Sequence, residues 1–350
     1  MTTLHTGSSE VAVEREPRPR PRAVWASRLG ATAVFIAALI AGEILLSQFW
    51  SSVVIHAAAT VCTVAGLHLL LHWSGQVSLG HMFFVGVGGF FTANFALEQG
   101  WSPPVAMVAG SVMAMLFSIT IGLPALRIKG FSLAITTLAA AVAADKWLFK
   151  QDWLVGGSLG ILIPERNFFG RSPVEPTEFM LPAVLVATGA VLLTAWIGRS
   201  GLGRAFRLVA ADEQVAKSYG IAVGFHRLSA FMYSGLLAGL GGSILVLELG
   251  RSSAEMFPAQ ESIIFVSAVL LGGPGRVWGS VIAAAMLVFV PQLLDWGDYN
   301  DLIGAVSLVL AVRFAPAGIN GAIEHIQERR HGRGHDHGSS EVAEPVGAET

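Results

Sequence analysis

The sequence predicts an all-α polytopic membrane protein, built as a bundle of about ten transmembrane helices. Hydrophobic residues make up 53% of its 350 residues and charged residues only 13%. That charged fraction is about half of the roughly 25% typical of a soluble domain, so it cannot cover a water-facing surface. Apolar stretches of about 17–25 residues recur along the chain and match the hydrocarbon thickness of a bilayer. The 40 glycines favour close approach between membrane helices.

The predicted spans follow the apolar stretches in order. The third and eighth are also candidates for re-entrant segments, because they are interrupted by glycine and polar residues. The ten spans are 29–47, 52–72, 78–97, 103–123, 131–150, 179–198, 227–247, 260–275, 277–294 and 301–318.

Positive charge gives a test of this topology that does not depend on hydropathy, since Lys and Arg collect in cytoplasmic loops. If the N-terminus is cytoplasmic, 17 of the 22 basic residues fall on that side of the membrane. The loop 295–301 on the other side is acidic. We therefore expect an even number of spans and two cytoplasmic termini.

Polar segments flank the bundle. Residues 1–28 form a basic tail in which Pro17, Pro19 and Pro21 alternate with arginines, a pattern that opposes helix formation. Residues 321–350 form a polar tail, and its HGRGHDHGSS stretch at 331–340 holds three histidines, for which metal binding and simple flexibility both remain open. Residues 29–320 are the predicted membrane domain.

Catalytic and nucleotide-binding signatures are missing from the sequence. It contains no GxxxxGK[ST] loop, no HExxH and no paired CxxC, and its one cysteine, Cys62, lies within the second span. We therefore expect a chain that is not an enzyme and binds no cofactor of its own. If ATP drives it, ATP and Mg²⁺ are bound by another chain.

A charged insert, residues 200–224, separates the sixth and seventh spans; we call it the coupling segment. Asp212 is placed to cap a short helix from Glu213 to Tyr219, and Gly220 suits the left-handed stop. Before it, Arg204 and Arg207 flank a partly apolar face. Such an element either lies in the lipid interface or serves as a docking site for a soluble protein.

Polar and glycine residues cluster at the entrance of the third span. Glycines among polar groups at this depth favour a broken backbone that lines a solute path, although a lone buried histidine is more often a structural, hydrogen-bonded one. The outer loop near Gly156 and Gly157 is either a solute-contacting turn or a plain flexible loop. The candidate pathway residues are Gly75, Gln76, Ser78, Gly80, His81, Gly156 and Gly157.

Six ordered motifs resemble the LivM-type permease subunit of ABC importers for branched-chain amino acids. The resemblance runs over nearly all of residues 51–318, and the 155–161 motif has Val155 where the family usually has Thr. The motifs are GQVSLGHMFFVGVGGF at 75–90, LPALRIKGFSLAITTLA at 123–139, VGGSLGI at 155–161, GRAFRLVAADEQVAKSYGIAV at 203–223, LLGGPGRVWGSVIAAAML at 270–287 and RFAPAGING at 313–321.

This resemblance implies a permease that pairs with a second, related permease chain in a bacterial-type inner membrane. It further implies two cytoplasmic ATP-binding subunits, an extracytoplasmic solute-binding protein, and alternating access driven by ATP on those subunits. We expect the lipid bilayer, and no nucleic acid, among its other partners. The residues that would couple to the ATP-binding subunits are Arg204, Arg207, Asp212, Glu213, Lys217 and Gly220.

Two other functions stay open on the sequence alone. Glu43, Asp145 and Lys146 are ionisable groups within spans, where a proton-coupled secondary transporter places its machinery. Asp145 and Lys146 point about 100° apart on a helix, so pairing between them is not assumed. A membrane enzyme is the weakest alternative. Within the ABC class the resemblance implies leucine, isoleucine and valine, or urea, short amides or aromatic acids.

Overall fold

A computed structural model describes residues 47–126, 128, 130–155, 160–163, 176–294, 306 and 320–321. All but one residue of each of the predicted spans 29–47 and 301–318, most of both tails, Glu43, Gly156 and Gly157 lie outside these residues. The proposed domain limits at 28 and 320 therefore stay predictions.

The described chain is almost entirely helical. A π-helical turn, Leu69–Trp73, directly continues the first helix, and short 3₁₀ turns occur at Leu148–Lys150, Ala254–Met256 and Ala259–Glu261. The helices are α1 Gln48–His68, α2 His81–Glu98, α3 Pro103–Ala125, α4 Phe131–Lys146, α5 Asp152–Val155, α6 Pro176–Arg199, α7 Gly201–Ala211, α8 Glu213–Ser218, α9 Val223–Leu249, α10 Ser262–Gly272 and α11 Val277–Leu294.

The strands β1 Ile161–Leu162 and β2 Arg251–Ser252 pair antiparallel, with Ile161 opposite Ser252 and Leu162 opposite Arg251. They join the outer loop near Gly160 to the end of α9.

Six segments of the described chain are long and apolar enough to cross a membrane, which confirms the all-α polytopic class. The predicted third span, α2, is not among the six, and α11 is a shorter apolar helix, so the count of ten stays a prediction. The six are Gln48–Trp73, Pro103–Pro124, Phe131–Lys150, Thr177–Arg199, Val223–Leu249 and Ala254–Gly272.

Helix α9 is the centre of the described bundle and packs most extensively against α3, α2 and α1. Small residues make these approaches close. A Cβ on Gly88 of α2 would overlap the backbone of Gly239, and a Cβ on Gly242 would overlap the carbonyl of Val85. Small residues spaced by four form two stripes along α9, the predicted seventh span, and these stripes are packing surfaces. Their members are all buried: Ser234, Gly235, Ala238, Gly239, Gly242 and Ser243.

Helices α2 and α10 begin inside the bundle. His81, the first residue of α2, lies beside Ser234, the twelfth residue of α9, which is about 17 Å along that helix. Ser262, the first residue of α10, accepts a hydrogen bond from the Met82 amide at 3.0 Å. With 11 residues, α10 is about 16 Å long, roughly half of the hydrocarbon thickness. The re-entrant character proposed for the third and eighth spans stays a prediction, since the segment Ala254–Gly272, which contains α10, has 19 residues and is long enough to cross a membrane.

Asp145 and Lys146 require a correction, because they pair with each other. Lys146 Nζ lies 3.0 Å from Asp145 Oδ2 at the end of α4, and the lysine side chain is 66% exposed. Rotation by 100° per residue does not keep the pair apart, since a long lysine side chain at a helix terminus can fold back.

We expect Gly88→Ala to destabilise the bundle by about 1–3 kcal/mol, because the added methyl has no space against Gly239. Gly189→Ala on α6 is the matched control, since a Cβ there meets nothing within 4 Å. Melting of the two purified variants in mild detergent measures the difference. Equal melting temperatures would contradict the close packing of α2 on α9.

Candidate functional site

Helix α7 is the first half of the coupling segment and is strongly two-sided. The Ser200 hydroxyl accepts a hydrogen bond from the Gly203 amide at 3.4 Å and caps the helix. Gly203, Phe206 and Val209, spaced by three residues, are buried. The opposite side is exposed and carries Arg204 and Arg207.

Helix α8 confirms the capped helix that the sequence predicts, ending one residue earlier at Ser218. Asp212 Oδ1 accepts hydrogen bonds from the amides of Gln214 at 2.7 Å and Val215 at 3.1 Å. Gly220 has φ +74°, the left-handed conformation expected at its C-terminal stop. Lys217, in the last turn, is exposed.

A small separate core joins α7 and α8 to the start of α9. Val209, Ala216 and Val223 are buried together, with Leu208 and Ile221 packed around them. Since each of the three central residues comes from a different helix, the coupling segment is tied to the first turn of α9.

An ion pair strengthens that connection. The Glu213 carboxylate, at the start of α8, pairs with the Arg227 guanidinium on α9, and these side chains are only 21% and 14% exposed. Because a partly buried pair is screened less by water and salt than a surface one, this pair restrains α8 relative to α9.

The loop 74–80 lies directly against the coupling segment. Gly75 has φ +67°, and a Cβ on it would lie 3.1 Å from the Ala210 Cβ of α7. The buried Gln76 side chain donates to the Ser74 hydroxyl and, at 3.2 Å, to the Arg227 carbonyl of α9. Of the predicted pathway residues, Gly75 therefore lies against α7, which carries Arg204 and Arg207, and Gln76 is bonded to α9.

The same loop then enters the bundle. The Leu79 amide donates to Thr137 Oγ1 at 3.0 Å, and Gly80 approaches α4 so closely that a Cβ would overlap the Thr137 carbonyl. Non-helical backbone at this depth is tolerated because α4 and α9 satisfy its polar groups.

His81 uses both ring nitrogens within the protein. Its Nδ1 lies 3.0 Å from Ser78 Oγ and its Nε2 lies 2.6 Å from Ser234 Oγ, and all three side chains are buried. This arrangement matches the structural alternative for the histidine, in which it fastens the start of α2 to the middle of α9. A role of the loop in a solute path stays a prediction.

Sequence reasoning missed three features. The first two are Trp73 and Arg227, which both contact the coupling segment. Their partners lie far from them in the sequence, so no local pattern marks either residue. The third is a cavity of about 510 Å³ at the opposite end of α1 and α9. None of the pathway residues that the structure describes lines it. Its polar lining residues are Ser52, His56, Thr60, Glu248, Glu261 and Gln292.

Comparison with known proteins identifies the class. The family described as "Branched-chain amino acid transport system / permease component" matches residues 49–314, about three quarters of the chain, and the chain belongs to this family. It is therefore an ABC-type membrane permease, and this finding replaces the alternatives of a proton-coupled transporter and a membrane enzyme.

The individual relatives are named for different solutes. The chain is 27% identical to the high-affinity branched-chain amino acid transport system permease protein LivM of Escherichia coli, covering 82% of this chain and 74% of LivM. It is 24% identical to the L-arabinose transport system permease protein AraH of Escherichia coli, covering 76% and 81%. It is 28% identical to the autoinducer 2 import system permease protein LsrC of an Enterobacter species, covering 61% and 64%.

Among solved structures, PsaBC from Streptococcus pneumoniae in complex with Fab matches with a TM-score of 0.45 and 16% identity. The match covers 81% of this chain and 97% of that one.

We expect His81→Ala to lower stability, because it leaves the buried Ser78 and Ser234 hydroxyls without their ring partner, at about 1–3 kcal/mol for each unsatisfied group. His226→Ala, at a half-buried position in the first turn of α9, should cost less. Melting in detergent without solute measures both. Unchanged melting of the His81 variant together with a raised KM for uptake would instead show that His81 contacts solute.

Proposed function

We propose that this chain is the membrane-spanning subunit of an ATP-driven importer for leucine, isoleucine and valine, which moves its solute by alternating access. The observation that carries the proposal is a capped, two-helix coupling segment, fastened to α9, in a chain of the branched-chain amino acid permease family. Alternating access requires a rigid lever between the motor and the bundle, and the attachment of α7 and α8 to α9 supports this role.

The exposed side of the coupling segment is suited to a soluble partner. Val215 and Tyr219 are exposed on it, Tyr219 by 76%, as are the cations Arg204 and Lys217, and Phe225, just past the segment in the first turn of α9, is 66% exposed. Exposed aromatic side chains bordered by cations are typical anchors of protein interfaces. We assign this surface to a cytoplasmic ATP-binding subunit, with Arg204, Arg207, Asp212, Glu213, Lys217 and Gly220 shaping it.

The remaining assembly follows from the same proposal. Two ATP-binding subunits hold ATP and Mg²⁺, a second related permease completes the path, and a binding protein delivers solute to the extracytoplasmic side. Both termini of this chain are then cytoplasmic. The chain itself supplies no catalytic residue.

Branched-chain amino acids are the favoured solute because the LivM relatives are named for them. A sugar-type solute is the second candidate, since AraH and LsrC are also similar to the chain over more than half of its length. A small solute of either kind fits the dimensions of the 510 Å³ cavity.

We expect affinity purification of this chain from its own cell, in gentle detergent, to recover a second permease and ATP-binding subunits, identified by mass spectrometry. The binding protein encoded with them should bind leucine, isoleucine or valine in calorimetry and should ignore arabinose. Preference for the sugar would select the second candidate solute. Reproducible recovery of the chain alone, active for uptake without ATP, would overturn the importer assignment.

We expect Asp212→Ala combined with Glu213→Ala to leave membrane insertion intact and to weaken coupling to the ATP-binding subunits. Loss of the cap costs about 1 kcal/mol and lowers the ratio of folded to unfolded α8 roughly fivefold, and the Glu213–Arg227 pair is lost as well, so uptake should fall. Asp212→Asn is the matched control, because Asn caps equally well. Normal uptake by the double variant at normal expression would contradict the assigned role.

A further inference from the structure

The glycine-rich turn 272–276, between α10 and α11, is a sequence motif to which the proposed function gives no role. Its Gly273 and Gly275 have φ of +75° and +106°, so backbone conformations that other residues rarely adopt shape the turn. It lies at the same end of the bundle as the coupling segment, because Trp73 contacts both Gly275 of the turn and Arg207 of α7.

Side chains at the end of α1 and in the π-helical turn that follows it form hydrogen bonds with this turn. Trp73 Nε1 donates a hydrogen bond to the Gly275 carbonyl at 3.0 Å. His68 Nε2 lies 3.4 Å from the same carbonyl, and its Nδ1 lies 2.8 Å from the Ser280 hydroxyl. With the proton on Nε2, His68 donates to the carbonyl and accepts from the serine. His72 adds a bond to the Val269 carbonyl at 3.2 Å.

Asn320 holds the turn from another side. Its amide nitrogen lies within hydrogen-bond distance of three carbonyls, those of Gly273 at 3.2 Å, Pro274 at 3.1 Å and Arg276 at 2.7 Å. An amide group has two hydrogens, so these carbonyls share its donors. These hydrogen bonds hold the turn as one unit, so its backbone moves together with the side chains bonded to it.

The Trp73 ring also contacts the coupling segment. The Arg207 guanidinium of α7 lies over the indole at 5.6 Å from the ring centroid. Its Nη2 donates to the Gly198 carbonyl at 2.7 Å, at the end of α6. Gly198 has no side chain, and the indole fills the space that a Cβ would need. One buried ring therefore contacts α6, α7 and the turn 272–276.

We propose that Trp73 is the positioning residue that carries movement of the coupling segment to the turn 272–276, and so to α10 and α11. The inference rests on the proposed function. A shift of α7 displaces Arg207. The indole of Trp73 moves with it, because Gly198 and the π-helical turn restrain the ring from moving separately. The indole N–H then moves the Gly275 carbonyl. Since α10 begins in the middle of the bundle beside Met82, this movement reaches the start of α2.

Trp73→Phe separates this role from packing, because it keeps an aromatic ring under Arg207 and removes the N–H donor. In proteoliposomes of the full importer, we expect solute moved per ATP hydrolysed to fall about fivefold. Complex assembly and ATP hydrolysis without solute should stay as in the native protein. Trp196→Phe, the same change at an exposed ring on α6, is the matched control and should keep the native ratio.

A double-mutant cycle with Arg207→Gln tests whether the two residues act together. If Arg207 acts through the ring, the double variant loses little more than the larger single variant. Additive losses would overturn the proposal, as would a native ratio in Trp73→Phe. Parallel loss of assembly, ATP hydrolysis and uptake would assign Trp73 to packing alone and also overturn it. If the native complex shows no ATP-driven uptake, the proposed function itself fails.

Discussion

Backbone contact between α9 and its neighbours is the constraint on which the described bundle depends. Where Gly88 meets Gly239 and Gly242 meets Val85, no side chain separates the helices. In a membrane, the helices gain little from burying apolar side chains, so association relies on close van der Waals packing and hydrogen bonds between helices. That closeness sets the position of α2 along α9, and through it the depth at which His81 reaches Ser234.

Once α2 begins at mid-depth, the chain between α1 and α2 must cross part of the bundle without helical hydrogen bonds. The Leu79 amide bonds to Thr137 of α4, the Gln76 side chain to Arg227 of α9, and His81 to Ser78 within the loop and to Ser234 of α9. An unpaired polar group at this depth costs several kcal/mol. The loop is therefore held in one arrangement by α4, α9 and the coupling segment together.

The coupling segment combines a fixed side and an exposed side. Its inner side is fixed by the Val209, Ala216 and Val223 core and by the Glu213–Arg227 pair. Its outer side leaves Tyr219 exposed, next to the exposed start of α9 at Phe225 in the chain. A lever needs a fixed inner side and an exposed outer side. A loosely attached segment would not transmit movement to the bundle, and a fully buried segment could not contact a partner that moves it. Its contacts with the loop 74–80 and with Trp73 offer two separate routes into the bundle.

Composition, periodicity and capping chemistry are local properties of the chain. The sequence by itself therefore determined the membrane class, the small-residue stripes of α9, the cap at Asp212 and the stop at Gly220. Ordered motifs also indicated the permease family. Tertiary structure alone decided that Gly75 meets Ala210, that Glu213 finds Arg227, and that Trp73 joins Arg207 to Gly275. These partners lie on different helices, and only the packing of glycine surfaces brings them within reach, because no local rule fixes the depth or rotation of one helix against another.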